Sequence, residues 1–263
     1  LTNAPAQTPD SRTDRAAPAA PPQPLARLYR HFDEFRDAAV SLREHLGRLE
    51  GLRVLEAGCG AQSNLDLGDC EVTGIDISPE QLDRNTSLRE KVCADLHHYE
   101  SDDWARRFDL IVCWDVLEHL TSPRVAVGKF GAWSRPGAGR LVIVGPNPRS
   151  LKAWTTKHTP YFFHRLFYRL TIGTPLRARE GARGPFKTVF SDEIDLEALA
   201  SLLAAHSFEI TLLLSFESFQ NKWVKRFMPP RVVDALNRRL LGSLGGFLSP
   251  AATDFIIVAR RGD

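Results

Sequence analysis

Arg53-Val54-Leu55-Glu56-Ala57-Gly58-Cys59-Gly60 is the stretch on which the reading of this chain turns. Val54 and Leu55 supply a short apolar strand. Gly58 and Gly60 come next as a turn that tolerates positive φ and lets a ligand approach bare backbone. Val72-Thr73-Gly74-Ile75-Asp76-Ile77 reads as a second strand, and its acid falls 16 residues after Gly60. In a doubly wound sheet an acid at the end of the second strand faces the first glycine turn, where it can accept two ribose hydroxyls.

Together with several elements later in the chain, these residues resemble the class I S-adenosylmethionine (SAM) methyltransferases. Ala94-Asp95-Leu96 is similar to that family's adenine-contacting loop, and Phe108-Asp109-Leu110-Ile111-Val112 to its fourth strand. Trp114-Asp115-Val116-Leu117-Glu118-His119 looks like the segment after that strand. Pro136-Gly137-Ala138-Gly139 with Leu141-Val142-Ile143-Val144 looks like its turn and fifth strand. The likeness is close over residues 51–148 and loose over 186–261. It implies an α/β, Rossmann-like fold: a seven-stranded, mostly parallel sheet with helices on both faces and two cap insertions. It also implies SAM as cofactor, held by Glu56, Gly58, Cys59, Gly60, Asp76, Ile77, Asp95, Leu96 and Trp114, with Asp95 accepting from the adenine amino group.

Asp115-x-x-Glu118-His119 further resembles the metal-binding acid-x-x-Glu-His of quinone-biosynthesis O-methyltransferases, with Asp in place of the first Glu. Two readings stay open. Asp115, Glu118 and His119 hold Mg²⁺ through carboxylates and waters, or Glu118 and His119 make structural hydrogen bonds, as in relatives that share the segment without a metal. The reading adopted is no metal, with Asp115 and His119 as candidate catalytic groups.

A nicotinamide-dinucleotide unit is the rival for the glycine turn. It wants a third glycine where this chain has Ser63, so that the helix can pack close under a pyrophosphate. Glu56, two residues before the first glycine, would repel a pyrophosphate but suits the ammonium of a methionine moiety.

The chain is 263 residues long, 43% hydrophobic and 25% charged, the composition of a globular protein with one main domain. No apolar run approaches the ~18 residues of a bilayer span. The N-terminus lacks the basic-then-apolar pattern of a secretory signal, although Leu1 leaves room for sequence upstream. Cys59, Cys70, Cys93 and Cys113 have no C-x-x-C spacing and fall in or beside expected strands, which suggests reduced, buried thiols. The expected location is cytoplasmic, with a peripheral position at the inner membrane surface as the variant.

Net charge is +2 but unevenly spread. Residues 151–190 and 219–250 together carry 14 of the 34 basic residues and 2 of the 32 acidic ones, an excess of +12 against −10 for the rest.

Residues 1–24 read as a disordered tail. Leu25, Leu28, Phe32, Phe35, Ala39, Leu42, Leu46 and Leu49 recur at three- and four-residue steps, which predicts one helix over 25–50 ended by Gly51. Such a helix packs on the sheet or brings Tyr29, His31 or Arg36 to the cofactor. Residues 51–148 form the SAM-binding core, although only 11 residues (61–71) separate Gly60 from the second strand, leaving room for a short helix at most. Ser78-Pro79-Glu80 starts a helix with a hydroxyl cap and a proline in the first turn.

A cap insertion spans 149–190, where Trp154, Tyr161, Phe162, Phe163, Phe167 and Tyr168 interleave with Lys157, His158, His164, Arg165 and Arg169. His158 and His164 are candidate general bases, since imidazole titrates near neutrality. The plainer reading is an amphipathic cap helix. Gly181–Pro185 reads as a hinge. The core resumes over 191–263, with a helix at Asp195–His206 and strands at Phe208–Phe216 and Asp254–Ala259, interrupted by a basic amphipathic insertion at 219–250. That insertion suits an anionic membrane surface; a cap helix or a homodimer contact is the alternative.

The expected activity is methyl transfer to the oxygen, carbon or nitrogen of a hydrophobic, anionic or lipid-linked small molecule. The (Asp/Asn)-Pro-Pro-aromatic motif, which in the family marks enzymes acting on exocyclic amines of bases or on glutamine, is absent after the fourth strand; this lowers the nucleic-acid reading without excluding ribose or ring-carbon methylation. The rivals are an RNA methyltransferase using the basic cap and a non-catalytic SAM-binding module.

Overall fold

The computed structural model describes residues 25–158, 188–189, 191–226, 228–242, 244 and 247–263. The expected tail over 1–24, His164 and most of the 149–190 insertion with its hinge lie outside them, as do Phe227 and the side chains of Trp223 and Val224. One sheet is built from β1 (Tyr29–Phe32), β2 (Arg53–Ala57), β3 (Glu71–Asp76), β4 (Glu90–Cys93), β5 (Leu110–Trp114), β6 (Arg140–Pro146), β7 (Phe208–Phe216) and β8 (Asp254–Arg261). Among the described residues the α-helices are α1 (Phe35–Leu46), α2 (Pro79–Arg84), α3 (Pro123–Trp133), α4 (Leu151–His158), α5 (Leu196–Ala205), α6 (Phe219–Lys225) and α7 (Pro230–Leu241).

The strand order is β1-β7-β8-β6-β5-β2-β3-β4. Only the pairs made by β8, with β6 and β7, are antiparallel. The chain leaves β2 toward β3 and β4 on one side, and β5 toward β6 on the other. The β2/β5 boundary is therefore a topological switch point, where crossover connections part and leave a crevice beyond the strand carboxyl ends. The central strands are apolar on both faces because helices cover both. Val54, Val72, Val112 and Val142 pack with Leu42 of α1 and Leu82 of α2. Their neighbours Leu55, Ile111 and Leu141, with Ile75, pack with Phe130 of α3 and Leu203 of α5.

Two expectations need correction. The sheet has eight strands, and the 25–50 segment is not one helix. Tyr29–Phe32 is an edge strand paired in parallel with β7, Tyr29 opposite Leu213 and Phe32 opposite Phe216. The three- and four-residue apolar spacing over this stretch fits either state. What decides it is the otherwise open edge of β7, whose backbone groups gain partners from Tyr29-Arg30-His31-Phe32. The helix begins at Phe35 and ends at Gly47, which adopts φ 64°, four residues before the expected Gly51. Tyr29 and His31 both bond Ser215 Oγ of β7, each at 2.8 Å, and Arg36 is exposed.

The thiols are free, but only Cys59 and Cys113 are buried; Cys93, at the end of edge strand β4, is exposed. No described helix is long and apolar enough to cross a membrane.

Candidate cofactor and acceptor site

The glycine turn closes directly on β3. Gly58 and Cys59 N–H groups donate to Ile75 O at 2.8 and 3.3 Å, and Gly58 and Gly60 take φ 70° and 57°. The space beside Gly58 belongs to a neighbouring side chain: a Cβ there would lie 2.2 Å from Val116 Cγ2. Val116 comes directly after Asp115, so the first turn and the loop after β5 are packed against each other at the switch point. Cys59 fills the floor of the turn against Gly74, and burial pushes its thiol up to about 12.

Asp76 ends β3 with each carboxylate oxygen holding one backbone N–H, Gly60 N at 2.9 Å and Ser78 N at 2.8 Å. Each oxygen keeps a second acceptor position. Next to it, Ile77 is 59% exposed, an apolar surface laid open beside the turn. Ser78 caps α2 by accepting from Gln81 N at 3.3 Å, with proline in the first turn, as the sequence predicts. Residues 61–70 contain no helix, in keeping with their short length.

Sequence reasoning missed what holds this short loop. Fully buried Asn85 donates through Nδ2 to the carbonyls of Cys59 and Gly60, both at 3.3 Å. Its Oδ1 accepts from Ser87 Oγ at 2.6 Å, and Ser87 Oγ meets Ser63 Oγ at 2.6 Å. Ser63 Oγ meets Glu56 Oε2 at 2.5 Å. Each hydroxyl carries one proton, so the three contacts are all satisfied when a protonated Glu56 donates to Ser63, Ser63 to Ser87 and Ser87 to Asn85, which links Glu56 to the glycine turn. Glu56 is 3% exposed, and burial, opposed by the bonds from Ser63 and Asn64, raises its carboxyl to about 7. The signal available in the sequence was the polar run Asn85-Thr86-Ser87 after α2, which does not announce its partners.

Asp95 Oδ1 accepts from His97 N at 2.8 Å and meets His97 Nδ1 at 3.2 Å, so one carboxylate oxygen organises its own loop. Behind it, buried Lys129 of α3 donates to the carbonyls of His97 and Tyr99 at 2.9 and 2.7 Å. Leu96 is buried in the core.

After β5, Asp115 N donates to Val144 O at 2.9 Å. Asp115 sits at φ 51°, an uncommon conformation for a side-chain-bearing residue. Asp115 is exposed as a residue, although its carboxylate is largely desolvated. Desolvation, then the Asp254 charge, raise its pKa, and Lys152 opposes them. Glu118 is buried, its Oε2 has no hydrogen-bond partner among the described residues, and desolvation, then the Asp115 charge, raise its pKa as well. Trp114, half-buried, meets Phe35 edge-on at 5.8 Å.

The Asp115, Glu118 and His119 side chains do not fit a metal-ligand set. His119 Nε2 lies 4.0 Å from Glu118 Oε1. The Lys152 ammonium, itself bonded to Asp254 Oδ1 at 2.5 Å, also faces these carboxylates. No group of three ligating side chains converges among the described residues.

His158 is at the last turn of α4, where Nδ1 meets Trp154 O at 2.7 Å and its ring stacks on Trp154 at 4.6 Å. Of the expected interfacial residues in 219–250, Lys225 lies between Glu217 (2.8 Å) and Asp234 (3.0 Å), and Lys222 pairs with Glu34. Val233 and Leu241 turn inward, whereas Val232, Leu236, Arg231, Arg238 and Arg239 are exposed.

A family model described as "Methyltransferase domain" matches residues 25–212. The chain belongs to this family, as a class I SAM-dependent methyltransferase. Among curated proteins it is similar to ubiquinone biosynthesis O-methyltransferases. The one from Bordetella bronchiseptica is 30% identical over 119 residues, covering 41% of this chain and 49% of that protein. The one from Coxiella burnetii is 32% identical over 130 residues, covering 45% and 54%. The chain spans about half the length of the curated relatives it matches. Among solved structures, a SAM-dependent methyltransferase from Archaeoglobus fulgidus matches 87% of this chain and 95% of its own at 18% identity, with a TM-score of 0.49.

Proposed function

We propose that this chain transfers the methyl group of SAM to a hydroxyl on a lipophilic small molecule. The observation that carries the reading is the packing of Val116 against Gly58. It joins the glycine turn to the loop bearing the exposed Asp115 at the switch point, where strand carboxyl ends leave room for a ligand. SAM, when bound, supplies an electrophilic methyl on sulfur.

The residues present suit that group. Asp76 offers two acceptor oxygens for ribose hydroxyls, Glu56 a carboxylate for the methionine ammonium, and Ile77 an apolar flank for the adenine. Asp95 and Leu96 bound the far side, while Gly58, Cys59 and Gly60 shape the turn and Trp114 the wall by the methyl. The protein's part in an in-line displacement is alignment and exclusion of water. For a hydroxyl acceptor it also removes one proton, and Asp115 is the candidate that reaches the crevice; His119 and His158 are the imidazole candidates. The curated relatives are named as O-methyltransferases of ubiquinone biosynthesis, which favours an oxygen acceptor on a lipid-linked ring. The exposed Val232 and Leu236, flanked by Arg231, Arg238 and Arg239, suit peripheral contact with an anionic membrane, where such a molecule would be met.

Methyl-labelled SAM incubated with the protein and a total lipid extract tests this. Label should move into an organic-soluble product, and less of it in an Asp115→Asn variant. Tight cofactor binding without any label transfer would instead indicate a SAM-binding module.

A further inference from the structure

The loop after β4 is tied at its start to β3. Asp76 stands opposite Cys93 of β4, and Ala94 N donates to Asp76 O at 3.0 Å. Asp95 follows directly, so strand register brings it next to Asp76 at the carboxyl edge of the sheet. Ribose hydroxyls held at Asp76 leave the attached base to lie toward this loop.

The two oxygens of the Asp95 carboxylate are used differently. Oδ1 accepts from His97 N at 2.8 Å and meets His97 Nδ1 at 3.2 Å. Oδ2 takes part in neither bond, and the side chain is 38% exposed. Desolvation is outweighed by the bonds from His97, which hold the carboxyl below the usual carboxylate range. The far nitrogen of the imidazole decides where its proton sits. Ser122 N donates to His97 Nε2 at 3.2 Å, and Thr121 Oγ1, 3.4 Å away, is placed to share that role. A backbone N–H can only donate, so Nε2 is the bare nitrogen and the ring proton is on Nδ1, facing Asp95. Ser122 leads into α3, and Lys129 of the same helix directs its three donors at this loop. They reach His97 O, Tyr99 O and Glu100 Oε1 at 2.9, 2.7 and 2.9 Å. Helix α3 thus grips the loop through the His97 ring and again behind it.

We propose that His97 is a positioning residue for cofactor recognition: with its tautomer fixed by Ser122 N, it locks one oxygen of Asp95 and leaves the other presented to an exocyclic amine on the cofactor's base. The proposal rests on the methyl-transfer reading in taking the edge between Asp76 and Asp95 as the cofactor side. It goes further in making that amine the group this edge selects. A site built to hydrogen-bond one group rejects the analogue that lacks it, because its own polar atom is left unpaired.

Two measurements on the whole chain test this. The first is ¹⁵N NMR of imidazole-labelled protein in mildly alkaline buffer, with His97 assigned from the signal lost in His97→Asn. Protonated Nδ1 and bare Nε2 are expected; a proton on Nε2 instead overturns the proposal. The second is isothermal titration with S-adenosylhomocysteine and its deamino analogue, in which hydrogen replaces the exocyclic amine. Wild type should bind the analogue about 10- to 100-fold more weakly. His97→Ala should lower that ratio about fivefold or more, since only the backbone N–H at this position then holds Asp95. His97→Asn, whose amide occupies the Nδ1 position and can donate to Asp95, should keep most of it. His97→Gln reaches the Nε2 position instead, and gives the alanine readout if His97→Ala does not fold. A merely structural histidine would weaken both ligands alike; an unchanged ratio in His97→Ala and His97→Gln refutes the proposal, as does a wild type that binds both ligands equally. Failure of folded wild type to bind S-adenosylhomocysteine at all refutes the cofactor reading beneath it.

Discussion

Glu56 links the glycine-turn end of the candidate site to the stability of the whole sheet. In the unfolded chain its carboxyl titrates near 4.5, and burial raises it to about 7 in the fold. The folded state therefore holds the proton more tightly. Its contribution is fully present below pH 4.5 and is lost as pH rises through 7. At 1.36 kcal/mol per unit the full span is about 3 kcal/mol. Between about pH 5 and about pH 8 the share lost is roughly 2.5 kcal/mol, equivalent to ~5–10 °C in Tm for a chain of this size. The Gln amide can donate to Ser63 Oγ as the protonated carboxyl does, so Glu56→Gln keeps the hydrogen-bonded chain and removes the titration.

Urea unfolding of both proteins across that range is the assay. The wild type should lose stability with rising pH and Glu56→Gln should lose about 2.5 kcal/mol less. Affinity should move the other way, because an ammonium pairs with the ionised carboxylate. The Kd for S-adenosylhomocysteine should rise about tenfold per unit below pH 7 in wild type and stay flat in Glu56→Gln. Equal pH slopes in the two unfolding series would refute the reasoning.

The same geometry yields three further outcomes. Gly58→Ala forces a Cβ into Val116 Cγ2 at φ 70° and should cost about 2–4 kcal/mol by chemical denaturation, with cofactor affinity falling as well. Asn85→Ala leaves the carbonyls of Cys59 and Gly60 without their side-chain donor; a loss of about 1–3 kcal/mol and a weaker S-adenosylhomocysteine Kd are expected. Alkylation followed by peptide mapping should modify exposed Cys93 first and leave Cys59 and Cys113 unmodified until the protein unfolds, since burial raises both thiols.

The core could be read from its sequence because the glycine turn, the acid ending the second strand and the later segments resemble, in order, those of the class I methyltransferases. Phe208–Phe216 emerges with its expected bounds, and Asp254–Arg261 extends the expected strand by two residues. Local chemistry was similarly legible at Ser78, whose hydroxyl caps α2 next to a proline. What stayed hidden depended on long-range pairing. Tyr29–Phe32 carries a helical spacing, and only the vacant edge of β7 makes it a strand. Asn85, Ser87 and Lys152 are ordinary polar residues until the fold brings them to Cys59, Ser63 and Asp254. Lys225 looked interfacial by composition, but Glu217 and Asp234 claim its ammonium, and no periodicity could have foreseen that.

The central claim is that the turn at Gly58–Gly60 and the carboxylate of Asp76 form the cofactor site. Isothermal titration with S-adenosylhomocysteine, on wild type and on Asp76→Ala, addresses it most directly. Asp76 also holds Gly60 N and Ser78 N, so circular dichroism of the variant should accompany the titration to establish that it is folded. The account predicts micromolar binding by wild type and its loss in a folded Asp76→Ala. Unchanged affinity in the variant, or no binding by folded wild type, would contradict it.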